Sequence, residues 1–122
     1  MELLILALMA VESGGKDGEI GDKHLAQKAY GCLQIRQPVC NDYNKAHGTK
    51  HQAKDCLGNR ELSVRICTWY LEYYGKGKTL EAKARIWNGG PKGDQKKATV
   101  GYWRKVNKIL KDLKPKAKKK KK

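Results

Sequence analysis

Leu3-Leu4-Ile5-Leu6-Ala7-Leu8-Met9-Ala10-Val11-Glu12-Ser13-Gly14-Gly15 is the stretch on which the reading of the fold turns. Its apolar run, Leu3 to Val11, is about half the roughly 20 residues that a bilayer crossing needs, so a membrane span is excluded. A secretory h-region has this length. However, the only charge before the run is Glu2, where a signal peptide carries Lys or Arg, and Glu12-Ser13-Gly14-Gly15 is not a convincing small-x-small cleavage site. The competing reading is a helix, apolar nearly all round, buried in a core and ended by two glycines. The flanks favour the helix. Glu12 then sits in its last turn, at the negative end of the helix dipole, where an anion is disfavoured.

The rest of the chain supports a single, mainly helical domain. Its 122 residues are 39% hydrophobic and 32% charged, with a net charge of +15. Three Trp, six Tyr and several apolar stretches of helical period exclude disorder throughout. Lys16 to Lys28 is polar and rich in turn residues, and reads as a loop with a short hairpin into Ala29-Tyr30-Gly31-Cys32-Leu33-Gln34-Ile35. Pro38 suits the first turn of a second helix, with Val39, Cys40, Tyr43 and His47 near one face and Gly48 closing it. Thr49 to Gly58 reads as polar and irregular. Asn59 caps a third helix that Gly75 ends, and Thr79 caps a fourth that stops at Asn88-Gly89-Gly90-Pro91. The last helix carries Tyr102, Val106, Ile109 and Leu113 on one stripe, with Trp103 and Leu110 beside it. Pro115 is expected to stop it, leaving 1–113 as the folded domain and 114–122 as a disordered polylysine tail.

Cys32, Cys40, Cys56 and Cys67 are spaced by 8, 16 and 11 with no C-x-x-C, a pattern that does not suit zinc, and no metal is expected. They allow either two disulfides, in any of three connectivities, or four free thiols.

Few positions are out of place in a bland helical core. Partial burial at the end of an apolar helix would raise the pKa of Glu12, and a carboxylic acid protonated near neutrality is what general-acid catalysis needs. Asp22, ten residues on in a polar loop, should be wet and ionised; Asp17 and Glu19 compete with it for that role. One apolar and one solvated carboxyl is the pairing that cleaves glycosidic bonds. Gln34 places an amide that needs a partner on an apolar segment. Trp87-Asn88-Gly89-Gly90-Pro91 allows close backbone approach to a ligand. The aromatic set Trp69, Tyr70, Tyr73, Tyr102 and Trp103 suits a core at this spacing, with sugar stacking as the alternative.

In order along the chain, these pieces resemble a lysozyme. Glu12-Ser13-Gly14 is similar to the Glu-Ser start of goose-type lysozymes and soluble lytic transglycosylases, and Tyr30-Gly31-Cys32-Leu33-Gln34-Ile35 to their Gly-Leu-Met-Gln segment. Ala84-Arg85-Ile86-Trp87-Asn88-Gly89-Gly90-Pro91 resembles the Ala-Arg-x-His-Asn-Gly-Gly-Pro of invertebrate-type (destabilase) lysozymes, with Trp87 replacing the His. Gly101-Tyr102-Trp103-Arg104-Lys105-Val106 resembles the Tyr-Trp segment that follows. The resemblance covers roughly residues 4 to 110. It implies an α+β lysozyme-like fold and cleavage of the β-1,4 bond between N-acetylmuramic acid and N-acetylglucosamine, without a cofactor. It further implies Glu12 as proton donor and Asp22 as second carboxylate. Ser13, Tyr30, Gln34, Trp87, Asn88, Gly89 and Tyr102 are the substrate-binding residues it suggests, and Cys40 and Cys67 fall near a bonded pair of the invertebrate type. A lytic transglycosylase, which leaves 1,6-anhydro products, and a non-enzymatic basic binder are the alternatives.

The charge suits anionic bacterial walls and membrane surfaces. Residues 111–122 carry +7 and the preceding 110 carry +8. The lysine run also suits phosphates of nucleic acid, or an appended purification tail. A monomer acting outside cells, or released by host lysis as a phage or viral lysin is, fits these features.

Overall fold

A computed structural model describes the backbone of residues 1–120 and the side chains of residues 1–113. The element that opens the chain is the helix α1, Glu2–Ser13. Leu4, Ile5, Ala7, Leu8 and Met9 are buried in it, while Leu6 points to solvent, so the helix has one core face rather than being buried all round. Full burial of a Leu side chain contributes about 1.5–3 kcal/mol, which makes Leu4 and Leu8 principal anchors of the helix. Gly14 ends it in the left-handed region, with φ 66°, where its N–H bonds the Ala10 carbonyl.

A two-stranded antiparallel hairpin follows, β1 (Ile20–Gly21) and β2 (Ala29–Tyr30), pairing Ile20 with Tyr30 and Gly21 with Ala29. Asp17, just before this small lobe, is one of its ties to the rest of the fold. The Gly58 N–H reaches the Asp17 carbonyl at 2.8 Å, and Arg60 Nε meets Asp17 Oδ1 at 2.8 Å.

Helix α2, Gln37–His47, has Pro38 in its first turn and Gly48 in the left-handed region at its end. Val39 lies at a cleft rather than in the core, and His47 is exposed, stacked on the buried Tyr43 with ring centroids 4.0 Å apart. The stretch expected to be irregular contains a 3-10 turn, Ala53–Cys56, whose capping box is closed by Gln52 and Asp55. Helix α3, Arg60–Tyr74, starts with Asn59 Oδ1 accepting from the Leu62 N–H, and α4, Leu80–Gly89, with Thr79 Oγ1 accepting from the Ala82 N–H. Two short 3-10 turns, Gly93–Gln95 and Lys97–Thr99, lead into the helix α5, Val100–Lys120. α1 packs chiefly on α5 and also touches α3 and α4. Val106 and Leu110 are the fully buried contacts of α5, with Tyr102, Trp103 and Ile109 partly buried around them.

Two expectations are corrected. Pro115 does not end the last helix, whose bounds include it. Proline removes one backbone donor, but its neighbours are Lys and Ala, strong helix formers. The disorder expected of 114–122 concerns side chains, and two whole residues, outside those described. The four cysteines are free and fully buried. The pairing of Cys40 with Cys67 that the resemblance implied is not formed, and the neighbour that acts most on the Cys40 thiol, pushing it upward, is Cys56.

Candidate active site

The C-terminal end of α1, the hairpin, the start of α2 and the end of α4 enclose a cleft of ≈ 440 Å³. Both sequence-predicted carboxylates line it, with Gln34, Trp87 and Asn88.

Glu12, in the last turn of α1, is half-buried at this cleft. Burial pushes its carboxyl above the ordinary value of 4.5. A hydrogen bond donated by Tyr102 Oη to Glu12 Oε2, at 2.7 Å, and the nearby Arg36 charge pull in the opposite direction without cancelling the rise. Burial, and then the Glu12 charge and this same contact, drive the Tyr102 phenol strongly upward, so it stays a donor. Beneath them the Cys67 thiol is pushed up by burial and then by the Glu12 charge. This corner of the cleft therefore favours neutral forms.

Asp22 occupies the opposite electrostatic environment. The Arg36 guanidinium bonds its Oδ2 and, by that bond and by charge, holds its carboxyl below the ordinary 3.8. Arg36 is itself anchored by donating to the Gln27 carbonyl at 3.0 Å, and its backbone forms the N-cap of α2. Asp22 has a left-handed backbone, φ 53°, which Asp tolerates better than most residues.

Close packing of the hairpin aims the remaining groups. Gln34 Nε2 donates to the Gly31 carbonyl at 3.0 Å and the Glu19 carbonyl at 3.2 Å. Its Oε1 fits where a Cβ on Gly21 would lie only 2.0 Å away, so any side chain at residue 21 would have to displace the Gln34 amide. At the end of α4, Gly93 packs so closely on Arg85 that a Cβ would lie 2.1 Å from the Arg85 carbonyl oxygen. Thr99 Oγ1 accepts from Arg85 Nε at 2.9 Å and donates to the Gly93 carbonyl at 2.6 Å. The Trp87–Pro91 wall is held by these contacts.

Not every residue suggested for the site reaches it. Glu12, Asp22, Gln34, Trp87 and Asn88 line the cleft. Tyr102 acts on Glu12 through its hydroxyl. Ser13 is turned inward, its hydroxyl 2.8 Å from the Cys32 carbonyl oxygen, where it ties α1 to the loop after β2. Tyr30 lies in a separate depression beside Gln27 and Gln52. Gly89 is packed so that a Cβ would meet Thr99 at 2.6 Å, leaving Gly90 and Pro91 to face the cleft. Asp17 is paired with Arg60, and neither it nor Glu19 lines the cleft. Arg36 and Asp42, which no motif in the sequence singled out, also line it, as does Tyr70 from the aromatic set. Asp42 accepts from Tyr74 Oη at 2.9 Å. A charged residue two before Pro38 and an acid in the next helical turn are the only sequence signals for Arg36 and Asp42, and surface helices carry many such residues. Among the described residues, no group of three or more His, Cys, Asp or Glu side chains can hold a metal ion, and no helix is long and apolar enough to cross a membrane.

A helical scaffold with one apolar and one solvated carboxyl across a cleft is the class of site that acid-catalysed glycosidases use. The chain is similar to a lysozyme of Ostrea edulis, 32% identical over 127 aligned positions that cover 85% of this chain and 91% of that protein. It is 40% identical over 80 residues to lysozyme 1 of Crassostrea virginica, a match that spans only 42% of the length of that relative. Among solved structures, Tapes japonica lysozyme superposes with a TM-score of 0.74 at 25% identity, covering 89% of each chain. Meretrix lusoria lysozyme, solved in complex with the Aeromonas hydrophila protein PliI, superposes with the same TM-score at 23% identity and the same coverage. No family model matches the chain. The chain belongs to the lysozyme-like superfamily, with the invertebrate-type lysozymes of bivalves as its relatives.

Proposed function

We propose that the protein is a lysozyme in which Glu12 and Asp22 cleave the β-1,4 bond between N-acetylmuramic acid and N-acetylglucosamine of peptidoglycan. The observation that carries the assignment of residues is the contrast within one cleft: burial raises Glu12, and Arg36 lowers Asp22. A protonated Glu12 gives its proton to the glycosidic oxygen as the bond from that oxygen to the sugar C1 breaks. The ionised Asp22 answers the positive charge that grows at C1, and water completes the reaction there, its proton restoring Glu12. Tyr102 orients the acid, and Arg36 keeps Asp22 charged. Trp87, Asn88 and the Gly90–Pro91 turn form the wall against which the sugars rest.

The net charge of +15 supports action on anionic walls outside the producing cell, reached by secretion or by lysis. Mass spectrometry of fragments from purified peptidoglycan treated with wild type, Glu12→Gln and Asp22→Asn tests the reading. Hydrolytic products from wild type and none from Glu12→Gln are expected. Products lacking one water would make the enzyme a transglycosylase, and clearing that survives Glu12→Gln would remove catalysis.

A further inference from the structure

The outer face of α3 carries an aromatic surface that the reaction above does not use. Trp69 and Tyr73 lie in a shallow depression with Arg65, Thr68, Glu72 and Lys76 around them. The Tyr73 ring stacks on Trp69 with centroids 5.3 Å apart and planes 22° apart. Tyr73 is nevertheless 65% exposed, the most exposed large apolar side chain among the described residues. Stacking supports the ring from one side while the rest of it is left to solvent, and Trp69 is braced in turn by Tyr43 and His47 edge-on.

This surface is joined to the cleft by aromatic rings. Trp69 meets Tyr70 at 6.3 Å, and Tyr70 meets Trp87 edge-on at 5.5 Å. Tyr70 and Trp87 are cleft residues. Tyr74, edge-on to Tyr73 at 4.9 Å, hydrogen-bonds the cleft residue Asp42.

We propose that the Trp69–Tyr73 surface is a second, non-catalytic binding site for β-1,4-linked N-acetylated glycan strands. The proposal takes its ligand class from the lysozyme reading. A pyranose ring offers a face of C–H groups with hydroxyl and amide groups at its edge. Its complement is an aromatic plane flanked by hydrogen-bonding side chains, which Arg65, Thr68, Glu72 and Lys76 supply around Tyr73. Trp, Tyr and Arg also occur at protein interfaces, but Glu72 and Lys76 are of types depleted there, and both suit the hydroxyl and amide edge of a sugar. On an insoluble polymer, a second weak site raises the effective concentration of the cleft near its bonds without any change in the cleft itself.

The test uses the full chain with Tyr73→Ala and Tyr73→Trp, each in two assays. Retention on insoluble peptidoglycan is measured in a Glu12→Gln background at about 0.5 M salt, where charge adsorption is screened. Turnover of a short soluble β-1,4 N-acetylated oligosaccharide is measured with Glu12 intact. Tyr73→Ala is expected to weaken retention by roughly three- to tenfold and to leave turnover within about twofold, while Tyr73→Trp keeps both. Unchanged retention in Tyr73→Ala overturns the proposal. So does a parallel fall in retention and turnover, which would mean that Tyr73 acts only through the fold or the cleft. Turnover that persists after Glu12→Gln would sink the catalytic reading alone, since retention reads Tyr73 independently.

Discussion

Glu12 and Asp22 need opposite protonation states, so each sets one limb of the pH profile. Activity falls as pH rises through the raised value of Glu12, and falls as pH drops through the lowered value of Asp22. Tyr102→Phe removes a hydrogen bond that stabilises the Glu12 carboxylate, so the alkaline limb should move to higher pH while the acid limb stays. Arg36→Gln removes positive charge from both acids. Both limbs should then move upward, and turnover below neutrality should fall as Asp22 gains a proton; kcat/KM against pH on a soluble oligosaccharide checks both variants. Stability carries the matching sign. A folded pKa above 4.5 means that the native state loses stability as pH rises from that value through the raised one. Glu12→Gln, which removes that buried charge, should therefore melt at a higher temperature than wild type at neutral pH and show a smaller difference at pH 4. The acid itself is legible in the sequence, because it ends an apolar run. Its tuning partner lies 90 residues away, where no local pattern points back to it.

Among the elements, what was legible is what neighbours in the chain determine. Gly14, Gly48, Asn59 and Thr79 end or begin their helices as their local chemistry dictates, within a turn of the residues they serve. The walls of the cleft depend instead on contacts between elements. Gly21 reads as an ordinary loop glycine until Gln34 is seen packed against it. Gly21→Ala must displace the Gln34 amide and its two backbone bonds, at a cost of about 1–3 kcal/mol. A lower thermal midpoint, with turnover reduced further than the loss of folded protein explains, is the expected result. Thr99 is similar: a polar residue in a basic stretch, yet only 2% exposed and bonded to both Arg85 and Gly93. Thr99→Val keeps the shape and leaves Arg85 Nε without its acceptor, while the Gly93 carbonyl keeps the Lys96 N–H, so chemical denaturation should show a loss of about 1–3 kcal/mol.

At the scale of the whole molecule, the apolar core and the charge act on different steps. The core joins α1 to α5 and thereby places Glu12 beside Tyr102, while the charge has no part in that geometry. Its effect is on encounter with the wall. The attraction of a +15 molecule to an anionic polymer weakens as the Debye length shrinks from about 10 Å at 0.1 M salt to about 3 Å at 1 M. The buried Glu12 carboxyl is screened much less, and Asp22 touches its guanidinium, a separation far inside either Debye length. Deleting residues 116–122 removes six lysines and lowers the net charge from +15 to +9. Whole-wall clearing by the shortened chain should start slower and vary less steeply with salt. Hydrolysis of a short neutral oligosaccharide should be nearly the same for both chains from 0.05 to about 0.5 M salt. Equal salt slopes for the two chains on whole walls would assign the attraction to the folded body, which keeps most of the remaining charge. A loss of oligosaccharide hydrolysis on deletion would instead make the end of α5 part of what holds Tyr102 against Glu12.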